Sequence, residues 1–222
     1  KVNLARMLMA EDHRERGNPF PLPAHALELA SCGGCAPGTL ATGYRPGGPT
    51  NAATPGAPAS YGPDKSRNLE LGVKGDFFNR SLSVAAALYR IDWSDIQLNA
   101  RATTGISFIA NGGQARSNGA EISFTWVPQS GLKITGNAVH GKAELTEDFL
   151  AAVTTVGVKG DRLPFSASTT ANLSFTRDFT VGGLNAYAGA GVSMVGKRMG
   201  DFETRNVTRI TLDGYSTVDL QA

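Results

Sequence analysis

The sequence predicts an all-β fold, an antiparallel meander of transmembrane β-barrel strands. Three observations carry this. From Ser66 to Ala222 one unit repeats, a stretch of roughly ten or more residues alternating apolar with polar or tiny side chains. The breaks between units are alternately short and long. Short ones fall at Asn79-Arg80, Val127 to Gly131 and Asp178 to Gly183, and long ones at Arg101 to Gly113, Glu144 to Pro164 and Lys197 to Gly214. Tight turns on one side and working loops on the other are the rhythm of an outer-membrane barrel. Finally, the chain has no run of about eighteen apolar residues, which excludes a helical span, whereas a barrel strand needs only about 9–11 residues with every second one apolar.

Residues 1 to 36 fall outside the repeat. Lys1 to Arg16 has the pattern of a short helix, with Val2, Leu4, Met7 and Leu8 before a charged run. Pro19, Pro21 and Pro23 follow, then a second short piece ending at Gly33-Gly34. Residues 37 to 45 read as the end of a strand. In 46 to 63 the density of Pro and Gly excludes regular structure. The regular strands are then expected at Ser66 to Phe78, Ser81 to Asn99, Ser107 to Val127, Leu132 to Leu145, Phe165 to Arg177, Leu184 to Gly196 and Tyr215 to the end. With the stub near Tyr44 this gives about eight strands.

Successive strand side chains point to opposite sides, so the alternation assigns faces. Leu82, Val84, Ala86 and Leu88 share one side, opposite Ser81, Ser83 and Ala85. Ala120, Ile122, Phe124 and Trp126 oppose Gly119, Glu121, Ser123 and Thr125. Leu132 and Ile134 oppose Lys133, Thr135 and Asn137, and Ala171, Leu173 and Phe175 oppose Thr170, Asn172, Ser174 and Thr176. A soluble sandwich would turn the apolar side to a core, and a barrel would turn it to lipid. Two features favour lipid. The strands exceed the usual length of about five or six residues. Trp126, Phe77 and Phe78 also sit beside short turns, where an aromatic girdle belongs.

Composition narrows the class. The charged share is 18%, below the usual quarter, without a long charged block. A net charge of +2 gives no argument for nucleic acid. Many of the 27 glycines sit inside alternating stretches, such as Ala186 to Gly191, which suits a curved barrel wall. Leu29-Ala30-Ser31-Cys32 has the form of a lipoprotein cleavage site, but Pro21, Pro23, His25 and Glu28 spoil the apolar segment it requires.

Several phrases then resemble the C-terminal half of the barrel of TonB-dependent outer-membrane receptors. They include Ala41-Thr42-Gly43-Tyr44-Arg45-Pro46-Gly47-Gly48-Pro49, Ser66 to Gly75, Ala87 to Gln97 and Asn111 to Glu121. Further matches are Ala143 to Thr146, Gly160 to Pro164, Val195 to Arg198 and Tyr215 to Leu220. They occur in the family's order and cover nearly everything from residue 39 to 222.

The resemblance implies one arc, about seven or eight strands, of a large barrel that encloses a plug domain. It implies active uptake rather than enzyme chemistry, with no cofactor. The implied partners are a ferric siderophore or similar chelate, the TonB complex acting through the plug, and outer-membrane lipid and lipopolysaccharide. The expected location is the outer membrane of a Gram-negative bacterium. The chain departs from the family pattern in showing no plug or TonB-contacting segment and in ending within a strand, and residues 1–38 do not match.

Some motifs are set aside. Gly191 to Lys197 has the spacing of a phosphate-binding loop, but Arg198 follows where Ser or Thr should be, and the stretch lies in an alternating strand. Cys32-Gly33-Gly34-Cys35 lacks both a βαβ context and a second pair, leaving a local disulfide or two thiols. His13, His25 and His140 have no metal spacing, and His140 reads as a boundary residue. Asp92 and Asp95 flank Trp93 where a strand leaves the membrane, and a solvated or hydrogen-bonded role is expected there.

The basic residues of the long loops are Arg101, Lys159, Arg162, Lys197, Arg198, Arg205 and Arg209. They attract an anionic chelate through local positive potential, or they meet lipopolysaccharide phosphates or water. Tyr44 and Arg45, beside the Pro/Gly loop, are of the types that commonly anchor ligands. The candidate ligand residues are therefore Tyr44, Arg45, Arg101, Arg162 and Arg198, with no catalytic or metal-ligating residue. Two other functions stay in view, a passive porin or small barrel and a secreted β-sandwich binding module.

Overall fold

The computed structural model describes residues 25–29, 38–50, 57–101, 106–151, 154–200, 202 and 210–222. The helix expected at Lys1 to Arg16, as well as Cys32 and Cys35, lies outside these residues. One antiparallel sheet has nine strands: β1 (His25–Leu29), β2 (Gly38–Arg45), β3 (Asp64–Phe77), β4 (Leu82–Ser94), β5 (Gln114–Gln129), β6 (Leu132–Leu145), β7 (Thr169–Val181), β8 (Leu184–Val195) and β9 (Tyr215–Gln221). Each strand pairs with its neighbour in the chain, so the sheet is a meander without crossovers. The eight strands from β2 onward stand where the alternation places them. The ninth, β1, was not anticipated, and it pairs with β2 from His25↔Thr42 to Leu29↔Gly38.

Several boundaries differ from expectation. The strand expected to reach Asn99 ends at Ser94, because Asp95 turns the backbone at φ 55°. The strand expected from Ser107 is interrupted at Gly112-Gly113, where Gly113 has φ 71°. Between these breaks Gln97–Arg101 and Ser107–Asn111 pair as a separate ribbon. Phe165, expected to open a strand, sits at φ 59°, and β7 starts at Thr169. Even the Pro/Gly loop holds a two-residue ladder, Gly48–Pro49 on Ser60–Tyr61. Short ladders also close the other long loops, Phe149–Ala151 on Thr154–Gly157 and Arg198–Met199 on Thr211–Leu212.

The tight turns follow local chemistry. Val181 pairs with Leu184 across Gly182 and Gly183, both at positive φ (58° and 82°), as a two-residue hairpin that matches strand twist requires. Phe78, Asn79 and Arg80 all take positive φ between β3 and β4, and the Ser81 amide closes the turn on the Phe78 carbonyl at 3.1 Å. Between β5 and β6 the register shifts beside Pro128, which lacks a donor for the ladder.

The register carries each face across the sheet. Leu71, Leu88 and Ala120 stand in one row, Val73, Ala86, Ile122 and Ala138 in another. Phe124 stands in a row with Leu173, Val192 and Val218. This face is uncovered: Leu69, Leu71, Leu88, Ile122, Leu173 and Leu220 are all exposed. Among the described residues no second sheet packs on it, so the two-layer sandwich is not this fold. The opposite face carries Asp76, Lys74, Glu70, Ser83, Glu121, Ser123, Thr135, Asn137, Asn172 and Ser193.

Toward the long loops the two faces exchange character. The face that was polar now carries Ile91, Trp93, Ala115, Ala143 and Leu145, and the loops fold over it. Ile96, Phe108, Phe149, Leu163 and Phe202 complete this cluster, with Ile96 and Phe149 fully buried. The Phe149 and Phe202 rings lie 6.4 Å apart and tilted by 52°. The face that was apolar now carries Lys65, Arg67, Arg90, Asp92, Arg116 and Lys142. A single-layer wall thus buries its main core in its loops, on the side away from the uncovered apolar band.

Candidate functional site

The long loops gather at one end of the sheet, on the polar side, and they are stapled there by side chains. Arg45 ends β2 and Asp64 opens β3, so the pair closes the base of the Pro/Gly loop. Arg45 Nη2 lies 2.6 Å and Nε 3.1 Å from Asp64 Oδ2, and Asp64 is only 1% exposed. Arg45 also donates to the Gln97 carbonyl at 3.0 Å, and its guanidinium lies 5.8 Å over the Trp93 ring. The Gln97 side chain donates to the Pro46 and Gly62 carbonyls, both at 2.9 Å. Asn111 donates to the carbonyls of Gly62 (3.0 Å) and Asp95 (2.7 Å). These bonds tie the loop after β2 to the ribbon after β4.

The five candidate ligand residues are not brought together. Tyr44 pairs with Lys65 and Arg45 with Asp64, so the two adjacent residues face opposite sides of the wall. Tyr44 stands on the outward, apolar-band side. Arg45 is on the loop side, engaged with Asp64. Arg101 ends the loop ribbon as the backbone partner of Ser107. Arg162 bridges to Glu144 through the backbone, donates to Ser168 Oγ at 2.5 Å and reaches the Gly141 carbonyl at 3.3 Å, fastening its loop to β6. Arg198 lies 5.4 Å over the Tyr215 ring, at the loop end of β9, and Tyr215 is half exposed. Of the other loop cations, Lys159 and Lys197 are exposed, and Arg205 and Arg209 lie outside the described residues.

Residue type and spacing missed Asp64, Gln97, Asn111 and Tyr215, whose roles arise only when loops distant in sequence meet. At the strand exit, Asp92 is hydrogen-bonded and Asp95 is exposed. Asp92 accepts from Arg116 Nε at 2.7 Å and Arg90 Nε at 3.0 Å. Burial pushes its carboxyl up, but the hydrogen bonds from Arg116 and Arg90, with their charges, outweigh this and hold it below the usual range. His140 Nδ1 lies 2.8 Å from Thr169 Oγ1, at the upper edge of the apolar band. Gly191 to Val195 is paired on both sides within the sheet, which leaves no helix start for a phosphate loop. Among the described residues no group of three or more His, Cys, Asp or Glu is placed to hold a metal ion.

Residues 36–222 match the family described as TonB dependent receptor-like, beta-barrel. The chain belongs to this family. Among curated proteins it is 30% identical over 173 residues to the metal-pseudopaline receptor CntO of Pseudomonas aeruginosa, a match covering 78% of the chain and 23% of that receptor. The chain thus spans under a quarter of that relative's length. Among solved structures it resembles the ferric yersiniabactin uptake receptor FyuA from Yersinia pestis (TM-score 0.66, 21% identity, 89% of this chain and 28% of that one). It also resembles BauA, the ferric preacinetobactin receptor from Acinetobacter baumannii (TM-score 0.63, 19% identity, 91% and 30%). These likenesses establish the fold as a segment of a TonB-dependent receptor barrel. Family and fold are those of transport receptors, not of enzymes.

Proposed function

We propose that this chain is wall and loop of an outer-membrane receptor that takes up a scarce metal as its chelate, a ferric siderophore or a related complex, in a TonB-energised cycle. The observation that carries this is the exchange of faces along the strands. An uncovered apolar band suits lipid, and packed loops on the opposite side suit a mouth over a polar lumen. The relatives whose names state a ligand bind metal chelates, which supports the substrate class.

The loops supply a cationic entrance. Arg198 and Tyr215 offer a guanidinium and an exposed aromatic ring side by side on the lumen side, a pairing suited to an anionic chelate with flat rings. Arg162 and Arg101 add positive potential from neighbouring loops, and Arg45 holds the loop base on which the entrance rests. Tyr44, on the outward side, contributes to the ligand only through the loop it precedes. Energy coupling belongs to a plug and the TonB complex.

The test is uptake of radiolabelled ferric chelates by a strain lacking the receptor and complemented with the full-length protein. Uptake of at least one chelate is expected, lost without TonB, and lowered severalfold in affinity by Arg198→Ala or Tyr215→Ala. TonB-independent, non-saturating uptake would instead identify a passive pore.

A further inference from the structure

Arg198 stands on a short ribbon beyond the sheet, and a different loop holds that ribbon in place. Arg198 and Met199 pair with Leu212 and Thr211, and the Gly200 amide donates to the Ile210 carbonyl at 2.8 Å. So short a two-stranded ladder is not stable by itself in water. It is fastened from the β6 to β7 connection. The Phe165 amide donates to the Met199 carbonyl at 2.6 Å. Phe202, 3% exposed, packs its ring on Phe149. Gly157, the ladder partner of Phe149, completes the seat: a Cβ there would stand 3.0 Å from Phe202 Cδ1 and 2.8 Å from Leu145 Cδ1.

Two departures from ordinary local chemistry mark this contact. The Ser166 amide returns to the Leu163 carbonyl at 3.3 Å around Pro164 and Phe165, and Phe165 has φ 59°. Pro at the second position and positive φ at the third mark a type II turn, which usually takes Gly where this chain has Phe. The strained residue is the one whose amide reaches Met199, and backbone strain of this kind gathers where a group must be held. The second departure is in Arg198 itself. Its guanidinium lies 5.4 Å over the Tyr215 ring, yet its Nη1 is buried and has no hydrogen-bond partner among the described residues. A buried, charged N–H without an acceptor is costly unless a group from outside the chain completes it.

We propose that the β6 to β7 connection positions Arg198 for the ligand. Phe149 and Gly157 seat Phe202, Phe165 holds Met199, and the guanidinium is thereby fixed over Tyr215 with Nη1 kept for an anionic oxygen of the bound chelate. Phe149 is fully buried, so it acts on the ligand only through this chain of contacts. A charge-assisted bond to Nη1 favours a carboxylate, phenolate or catecholate oxygen over a neutral donor atom. The choice of acceptor rests on the uptake reading, whereas the positioning of Arg198 does not.

The test uses the full-length protein purified in detergent. The first readout is the rate at which phenylglyoxal modifies Arg198, followed by peptide mass spectrometry. Phe149→Ala and Gly157→Val, which fills the seat, are expected to raise it about fivefold or more, and Phe149→Leu should bring it back down. Phe108→Ala, which removes a ring of the same cluster from the ribbon after β4, should leave it within about twofold. Phe165→Pro, which lacks the amide, should also raise it, and Phe165→Gly, which restores the amide and accepts the positive φ, should lower it again. The second readout is binding of ferric citrate, ferric dihydroxybenzoate and ferric acetohydroxamate, measured by quenching of tryptophan fluorescence. For the anionic probe bound most tightly, Phe149→Ala should weaken binding severalfold, and Phe149→Ala/Arg198→Ala should be no weaker than Arg198→Ala alone. Unchanged Arg198 reactivity in both Phe149→Ala and Gly157→Val overturns the proposal. So do additive losses of affinity, which would make Phe149 a support of the barrel rather than of Arg198. Binding of none of the probes counts against the uptake reading, and Arg198 reactivity then decides the positioning by itself. Heat-modifiable migration on gels checks that each variant folds.

Discussion

The Tyr89 phenol oxygen occupies the space that a side chain on Gly119 would fill. Tyr89 stands opposite Gly119 in the ladder, and its hydroxyl reaches on to Gly141 on the strand beyond, where an added Cβ would sit 2.7 Å away. The ring therefore lies across two strands of the lumen face and is 7% exposed. Backbone oxygens crowd both glycines as well, the His140 carbonyl at Gly119 and the Asn118 carbonyl at Gly141. Gly119→Ala and Gly141→Ala are each expected to destabilise the barrel by about 1–3 kcal/mol, read as a lower urea midpoint of the full-length protein. An alanine that leaves the midpoint unchanged would show that the ring moves aside freely.

Arg45 and Asp64 should behave as a buried pair. Arg45→Ala leaves a carboxylate that is 1% exposed without its partner, at a local cost of about 3–5 kcal/mol. The Pro/Gly loop should then be cut by protease much faster, while the strands stay protected. The double variant Arg45→Met/Asp64→Leu should recover much of the protection, because the isolated charge is gone. Arg45→Lys should not, because one ammonium cannot serve both Asp64 and the Gln97 carbonyl as the fork does.

Asp92 gives a pH dependence with a definite sign. Its folded pKa is depressed, so it stabilises the strand exit above the ordinary carboxylate pKa. That contribution is lost as pH falls through the lower folded value. The stability difference between the protein and Asp92→Asn should therefore be largest near neutral pH and shrink below about pH 4. Arg116→Ala should remove most of this dependence, since Arg116 provides the stronger of its hydrogen-bonding partners. A difference independent of pH would show that Asp92 acts by packing alone.

Gly182-Gly183 should tolerate asparagine better than any β-branched residue. Nothing lies within 4 Å of an added Cβ at either glycine, so the cost is backbone conformation alone. Gly183→Asn is expected to be nearly neutral, and Gly183→Val to cost about 1–2 kcal/mol and slow barrel assembly. Equal midpoints for the two variants would contradict a turn that needs positive φ at both positions.

The wall was legible in the sequence because period-two alternation is a direct record of which medium each side chain meets. Leu82, Val84, Ala86 and Leu88 on one side and the serines and threonines on the other suffice to place β4 to β7. Breaks at Asp95 and Gly113 were not legible, since alternating stretches such as Ile96-Gln97-Leu98 continue past them and only backbone conformation divides them. β1 escaped because His25-Ala26-Leu27-Glu28-Leu29 lies among prolines and a Gly-rich piece that mask its short alternation. The loop staples escaped for a different reason. Gln97, Asn111 and Asp64 matter only through contacts 16 to 52 residues away in sequence, as from Asn111 to Asp95 and from Gln97 to Arg45. The loop arginines were chosen for charge, and charge alone does not reveal that Arg162 fastens its loop to β6 or that Arg198 lies over Tyr215.

Because the faces trade character partway along β3 to β6, these strands are locked against sliding at both ends at once. Moving β4 by one residue would send Arg90 and Asp92 beneath the Phe149 cluster, strand Ile91 and Trp93 on the charged face, and put Ser83 in the apolar band in place of Val84. Two independent penalties oppose the same error, so the alignment survives damage to either one. A one-residue insertion between Leu82 and Ser94 should consequently abolish assembly, whereas a two-residue insertion, which restores the parity, leaves a route to a folded wall.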